Sequence, residues 1–260
     1  MDTQRSSSDR LPVWATLGEA ALAVTKNWEV LLKAIAVPAM MVAAVNVFFR
    51  QQEPSMLMFP FMLLSGAFGM MIAVSCHRFV LLGQDALPSR WGVYWTARET
   101  RFLGWSLGIS MIGAGLMIVV GSVAFMVFRT TGGAGGAFAG LTGAELPVVA
   151  LAFGGILGMP MMYIMARLSL VLPATAIGER PTLEEMWQLS RSNGWRMVLV
   201  MFLPSLFLVP LSLWGLTLLD DGMLSRFIWA FMLTVLGVFG IAALSKSFSW
   251  FTAGSPDEEG

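Results

Sequence analysis

Few residues in this chain could do chemistry, and most of them stand just past the end of a long apolar run. His77, the one histidine, adjoins Arg78 at such an end. A proton relay there would need an ionisable partner within the membrane, and the apolar segments contain no Asp or Glu, so interfacial anchoring is the preferred reading. Arg78 and Arg167 are each followed by a short, mainly apolar stretch, and Lys246 occupies a comparable position. A guanidinium can hold a phosphate through two parallel hydrogen bonds, so Arg78, Arg167, Arg191 and Lys246 form a candidate site for anionic lipid headgroups. Ordinary anchoring by cations on the cytoplasmic side is the plainer alternative. Glu184, Glu185 and Arg191 could mark a partner surface, but Glu185 has capping spacing and Glu184 favours the dipole of a helix start. Cys76 is a lone thiol and makes neither a disulfide framework nor a metal site. The glycine-rich run 130–140 lacks the Lys-Ser/Thr ending of a phosphate-cradling loop. With no Ser–His–carboxylate set, metal-ligand cluster or nucleotide loop, the expectation is a protein that is not an enzyme and has no metal or other cofactor.

The elements that hold these residues must be membrane helices. Of the 260 residues, 57% are hydrophobic and 12% charged, against roughly 25% charged in soluble domains. Low-charge segments run from Met56 to Cys76, Phe102 to Phe128, Leu146 to Ala166, Met197 to Leu219 and Phe227 to Ser245. Each approaches or exceeds the ~18–20 residues that cross the hydrocarbon layer as a helix. A sixth, between Lys33 and Arg50, is shorter, with cations at both ends that can snorkel to the headgroups. Net charge is zero, so no nucleic-acid partner is implied. Residues 1–11 read as a disordered polar lead-in without a cleavable signal, and 251–260 as a disordered acidic tail. Between them lies a six-span membrane domain, 12–250.

Cations near span ends set orientation. Arg5, Arg10, Lys26, Lys33, Arg78, Arg90, Arg98, Arg101, Arg167, Arg180, Arg191, Arg196 and Lys246 fall on one side, and Arg50, Arg129 and Arg226 on the other. Both termini are therefore expected in the cytoplasm. Trp28, Trp105, Trp187 and Trp195 are the expected interfacial anchors, placed where an indole keeps its ring in the apolar zone and its N–H wet.

A unit recurs along the chain. Thr16-Leu-Gly-Glu19 and Thr182-Leu-Glu-Glu185 both carry the capping-box spacing, followed by apolar residues at helical intervals and then a cation, an Asn and a Trp ahead of a span. A looser middle copy contains Trp91, Tyr94, Trp95, Arg98, Arg101, Gly104 and Trp105. The pattern predicts an all-α fold of six transmembrane helices in three hairpins, each preceded by a cytoplasmic amphipathic helix lying in the interface. The approximate repeats are 14–82, 89–173 and 181–250, parallel in orientation. Pro38, Pro60, Pro160, Pro204 and Pro210 are expected to interrupt spans. Gly104–Gly108 and Gly154–Gly158 have the spacing that lets helices of one chain approach closely.

The run Ala166-Arg-Leu-Ser-Leu-Val-Leu-Pro-Ala-Thr-Ala-Ile-Gly-Glu-Arg-Pro-Thr-Leu-Glu-Glu-Met-Trp-Gln-Leu-Ser-Arg-Ser-Asn-Gly-Trp195 resembles a bacterial signature. It is found in the membrane domain of some glycerophosphoryl diester phosphodiesterases and in the related YciC-like inner-membrane proteins. The resemblance implies a six-span protein of the bacterial inner membrane without catalytic residues of its own. The phosphodiesterase domain is absent, so that activity does not carry over. The function expected is binding of anionic phospholipid headgroups, or of a membrane protein complex, by the cytoplasmic interfacial helices, in membrane or envelope homeostasis. The alternative is a small-solute or lipid transporter with a path between the repeats. An assembly factor is a third reading, hinted at by the acidic tail and the glycine loop.

Overall fold

Six helices are long and apolar enough to cross a membrane: Trp28–Phe48, Met58–Leu82, Ala97–Met126, Gly158–Ile177, Gly194–Gly215 and Met223–Thr252. The computed structural model describes residues 10–49, 58–87, 93–130, 145–218 and 222–253, and among these every regular element is helical. Most of the polar lead-in, the turn at Arg50–Pro54, Arg90 and Trp91, the glycine-rich run beyond Thr130, Asp220-Asp221 and the acidic tail from Ser255 lie outside the described residues. The chain is a polytopic helical membrane protein.

In chain order the helices are α1 (Val13–Lys26), α2 (Trp28–Phe49), α3 (Met58–Leu82), α4 (Ala97–Thr130), α5 (Glu145–Leu168), α6 (Val171–Ile177), α7 (Leu183–Leu189), α8 (Gly194–Leu218) and α9 (Met223–Thr252), with a 3-10 turn at Gln84–Ala86 after α3. The first span begins at Trp28 rather than Lys33, because α2 starts directly after Asn27 and takes in another turn. The short sixth segment of the sequence is thus a full-length span.

Each long helix rests on at least two others, and α3 and α9 on three. α2 packs against α3 and α9, α4 against α3 and α5, and α8 against α5 and α9. The short α1 lies on α9 and the shorter α7 on α5. Burial concentrates where the C-terminal part of α3, the α5–α6 junction and the C-terminal part of α9 meet. The opposite faces of α4 and α8 present Met111, Ile118, Phe125, Leu206, Phe207 and Leu213 outward. Side chains of this kind face hydrocarbon in a membrane protein, where their exposure carries no hydrophobic penalty.

Local chemistry explains where the helices start and stop. Thr182 caps α7: its hydroxyl accepts from Glu185 N–H at 3.2 Å, and Glu185 Oε2 accepts from Thr182 N–H at 2.8 Å. The matching Thr16 is not a cap. α1 begins three residues earlier, and Thr16 sits buried inside it, donating to the Pro12 carbonyl at 3.0 Å. The entry to α1 is fixed from elsewhere, since Leu11 N–H donates to Asn193 Oδ1 at 2.8 Å and Arg196 donates to the Leu11 carbonyl at 2.6 Å. A second cap stands instead at the start of α4. There Thr96 N–H donates to Glu99 Oε2 at 2.7 Å, the Thr96 hydroxyl also reaches that oxygen, and Arg98 N–H donates to the hydroxyl at 3.3 Å. Thr96→Ala and Thr182→Ala should each lower stability by about 1 kcal/mol, the usual loss for a capping threonine. Thermal unfolding in mild detergent would read this, and wild-type melting in both variants would count against the assignment.

Three expectations need correction. No separate short helix precedes α4 among the described residues; Val93–Thr96 is irregular and leads directly into one helix of 34 residues. The prolines do not interrupt the spans: α2, α5 and α8 run through Pro38, Pro160, Pro204 and Pro210. Pro60 is the third residue of α3, within the first turn, where backbone N–H groups have no helical partner to lose. The Gly104–Gly108 spacing does not bring helices together among the described residues, because a Cβ at either would meet nothing within 4 Å; the same holds at Gly158, while the surroundings of Gly154 lie outside what is described. Close approach happens instead at Gly194, under the ring of Tyr163, and at Gly215, under Trp229.

Candidate functional site at the basic end of the bundle

Arg78, Arg167 and Lys246 stand near the C-terminal ends of α3, α5 and α9, which meet at one end of the bundle. Arg167 stands at the end of α5 and is 3% exposed. Its Nε donates to Ser190 Oγ at 3.0 Å and one terminal nitrogen to the Tyr163 hydroxyl at 3.2 Å, while the other terminal nitrogen reaches the Trp187 carbonyl. The guanidinium carbon lies 3.4 Å from the centroid of the Trp187 ring and 5.4 Å from that of Tyr163. Tyr163 is itself held, edge-on to Trp187 at 6.2 Å and against Trp195 at 5.1 Å. A buried cation ordinarily needs a carboxylate or a dense set of acceptors and π faces. Arg167 has the second, and the result is a clasp between α5 and α7. Its donors are turned toward the chain rather than toward a lipid phosphate.

Arg78 is half-buried on α3. Its Nε donates to the Ala86 carbonyl at 2.9 Å, holding the 3-10 turn against the helix, and a terminal nitrogen reaches the Ala176 carbonyl of α6 at 3.5 Å. Lys246 on α9 is 4.0 Å from Glu19 of α1, in a pair whose lysine is half-buried and whose glutamate is exposed. Such a pair adds roughly 0–1 kcal/mol at most and leaves the ammonium accessible. Arg191, in the turn after α7, is exposed. Of the four cations the sequence grouped together, Arg191 offers its charge to the surroundings, Lys246 and Arg78 are half-buried and partly engaged, and Arg167 is enclosed.

The four tryptophans divide in the same way. Trp28 and Trp195 are each 56% exposed and open α2 and follow the first residue of α8, respectively. Trp187 and Trp105 are half-buried and packed against the core. Trp14 is also exposed, on the outward side of α1.

Buried polar groups lie near these cations, and of them the sequence had singled out only His77 as a candidate for chemistry. His77 is buried, with Nδ1 2.7 Å from Ser245 Oγ of α9 and its ring 5.9 Å from that of Phe102. Ser75 and Tyr94 share a hydrogen bond at 3.2 Å. Burial pushes the Tyr94 phenol above its ordinary range, so it serves as a neutral hydroxyl. Glu99 is fully buried, and its Oε1 has no hydrogen-bond partner among the described residues. The sequence reading put the third span at Phe102, which left Glu99 outside; α4 in fact carries this carboxylate into its first turn. The Thr-x-x-Glu spacing at 96–99, identical to that at 182–185, was the signal that could have found it. Tyr163, one helical turn before Arg167, was legible as a ring beneath a guanidinium. Nothing in the sequence pointed to the bond between Leu11 and Asn193. Cys76 is buried, with its thiol 3.7 Å from the Val238 carbonyl. Among the described residues no three His, Cys, Asp or Glu side chains gather as metal ligands.

No family model, curated protein or solved structure matches this chain. Its function has to be argued from its own side chains.

Proposed function

We propose that this chain is a non-enzymatic integral protein of the bacterial inner membrane, with both termini cytoplasmic, that binds anionic phospholipid headgroups at its basic end. The observation that carries the reading is the pairing of exposed indoles with accessible cations where short helices meet spans. Trp28 and Trp195 stand outward at two such junctions, with Lys26 beside the first and Arg191 beside the second. An indole at headgroup depth and a cation within reach of phosphate are the two halves of an interfacial lipid contact. The headgroup site consists of Arg191 and Lys246, with Arg78 contributing what its carbonyl contacts leave available; Arg167 supports it from behind by fixing α7.

We further infer that the domain is three copies of one unit, with α1 and α7 as the interfacial amphipathic helices of the first and third. Two features support this. The first span of each hairpin rests on the second span of the preceding one, in the cyclic order α2 on α9, α4 on α3, α8 on α5. The cations follow the same order, Arg167 holding α7 and Lys246 facing α1. The resemblance of 166–195 to the YciC-like and phosphodiesterase-linked membrane domains agrees with this plan.

The test uses the full chain in vesicles of phosphatidylglycerol and phosphatidylethanolamine. Each accessible cation near a membrane surface contributes about 1 kcal/mol toward anionic lipid, so Arg191→Gln with Lys246→Gln should lower phosphatidylglycerol retention in native mass spectrometry by roughly thirtyfold. Retention equal to that of the wild type would remove the proposal. A transporter of a small solute or lipid is the second reading, favoured by the buried polar groups Ser75, His77, Glu99 and Ser245 inside the helices.

A further inference from the structure

At the end opposite the basic one, the last turns of α2 and the first turns of α3 and α9 diverge around a cavity of about 630 Å³. Ala44, Val47, Phe48, Phe61, Leu224 and Phe227 line most of it, and among the described residues no lining side chain carries a charge or a hydroxyl. The Phe48 and Phe61 rings meet at 6.3 Å and form one wall. Ala44 creates the space, since it is the one small side chain among large neighbours.

We propose that this cavity seats one acyl chain of a phospholipid from the leaflet at that end of the bundle. The wall decides the chemistry. An extended peptide or a polar ligand would bring N–H, C=O or hydroxyl groups against a surface with nothing to pair them, a cost a hydrocarbon chain does not incur. Size agrees: a cavity of about 150 Å³ holds one benzene, and this one is about four times larger, room for a segment of an acyl chain. Position agrees as well. α2 contributes only residues 44–48, a rise of about 7 Å, so a helix of a second copy, which would lie along the length of a span, is a poor fit. α2, α3 and α9 are membrane spans, so the medium around the cavity already supplies the chain. The site stands apart from the headgroup surface at the basic end and does not depend on it.

The experiment places the full-length protein in vesicles of phosphatidylglycerol and phosphatidylethanolamine doped with a phospholipid bearing a diazirine at the end of one acyl chain, followed by illumination and peptide mass mapping. Adducts should concentrate on residues 44–48, 58–61 and 223–227, about tenfold above the outward-facing stretch 117–126 of α4, the ratio given by about 1.4 kcal/mol of preference. Ala44→Trp fills the cavity and should remove that excess while leaving 117–126 labelled. Leu224→Trp, at a position 72% exposed and tolerant of size, should do the same if Ala44→Trp does not fold. Equal labelling of the two regions in the wild type would overturn the proposal, because it would describe ordinary boundary lipid. So would an excess that survives a folded filling variant.

Discussion

Arg167→Ala should destabilise the folded protein by about 3 kcal/mol, and Arg167→Lys by about half as much. Hydrogen bonds from a charged donor contribute about 1.5–3 kcal/mol each, and a desolvated guanidinium over an indole about 2 kcal/mol. Arg167 has three of the former and one of the latter. Against them stands the desolvation of the guanidinium itself, several kcal/mol, which the alanine variant recovers. What decides the sign is what is left behind. Alanine takes the charged donor from Ser190 Oγ, which keeps only its own bond to the Met186 carbonyl at 2.9 Å, and leaves the Trp187 carbonyl with Ser190 Oγ at 3.4 Å; it also opens a gap between the Tyr163 and Trp187 rings. Lysine keeps the charge but cannot spread planar donors over three acceptors while stacking on a ring. The effect should fall on α7 first, so hydrogen exchange in 183–190 should rise in Arg167→Lys before global unfolding changes. Phosphatidylglycerol retention per folded molecule should fall less than in the variant with Arg191→Gln and Lys246→Gln, because Arg167 acts on the headgroup site only through α7. An alanine variant that melts with the wild type would show that the clasp contributes nothing. A lysine variant that lost lipid without losing protection in α7 would return Arg167 to the headgroup site.

How much of this was legible depends on the range of the interactions. The spans were legible because membrane crossing is decided by length and apolar content within one stretch, with no reference to the rest of the chain. The cap at Thr182 was equally local. Thr16 shows the limit of the same rule: the spacing is present, but the helix is extended backward because Asn193 and Arg196 tie down Leu11 from another element. The prolines misled in a related way, since a span packed between neighbours stays helical through a missing hydrogen bond. At the cations the sequence supplied position and sign but not direction. A cation at a span end can turn outward to phosphate or inward to the chain, and only the third dimension brings Trp187 and Ser190 against Arg167. The apolar cavity was illegible for the opposite reason. Its residues are ordinary span residues in three separate helices, and nothing marks them until the helix ends diverge.

The second large effect is predicted at Gly194. In an exposed helix interior, replacing glycine with alanine stabilises by up to about 1 kcal/mol because the backbone loses less freedom on folding. Gly104 in α4, where a new Cβ meets nothing within 4 Å, should follow that rule with a small gain or no change. Gly194→Ala should do the reverse and destabilise by about 2 kcal/mol, within the range for overfilling a packed site. The added methyl would fall on the Tyr163 ring, which has no easy retreat: Trp187 and Trp195 bracket it, and its hydroxyl is bound to Arg167. The substitution therefore acts on Arg167 at one remove, and that makes it separable from a purely local backbone effect. In a Tyr163→Ala background the space is vacant, so Gly194→Ala should become neutral or favourable, a coupling of about 2 kcal/mol in a double-mutant cycle. Additive losses in that cycle would mean that Gly194 is sensitive for reasons of its own, and the path from Trp195 through Tyr163 to Arg167 would then be a set of neighbours without a shared energy. Non-additivity would instead make the junction of α7 and α8 one mechanical unit, in which a headgroup contact at Trp195 can be felt at the arginine beneath it.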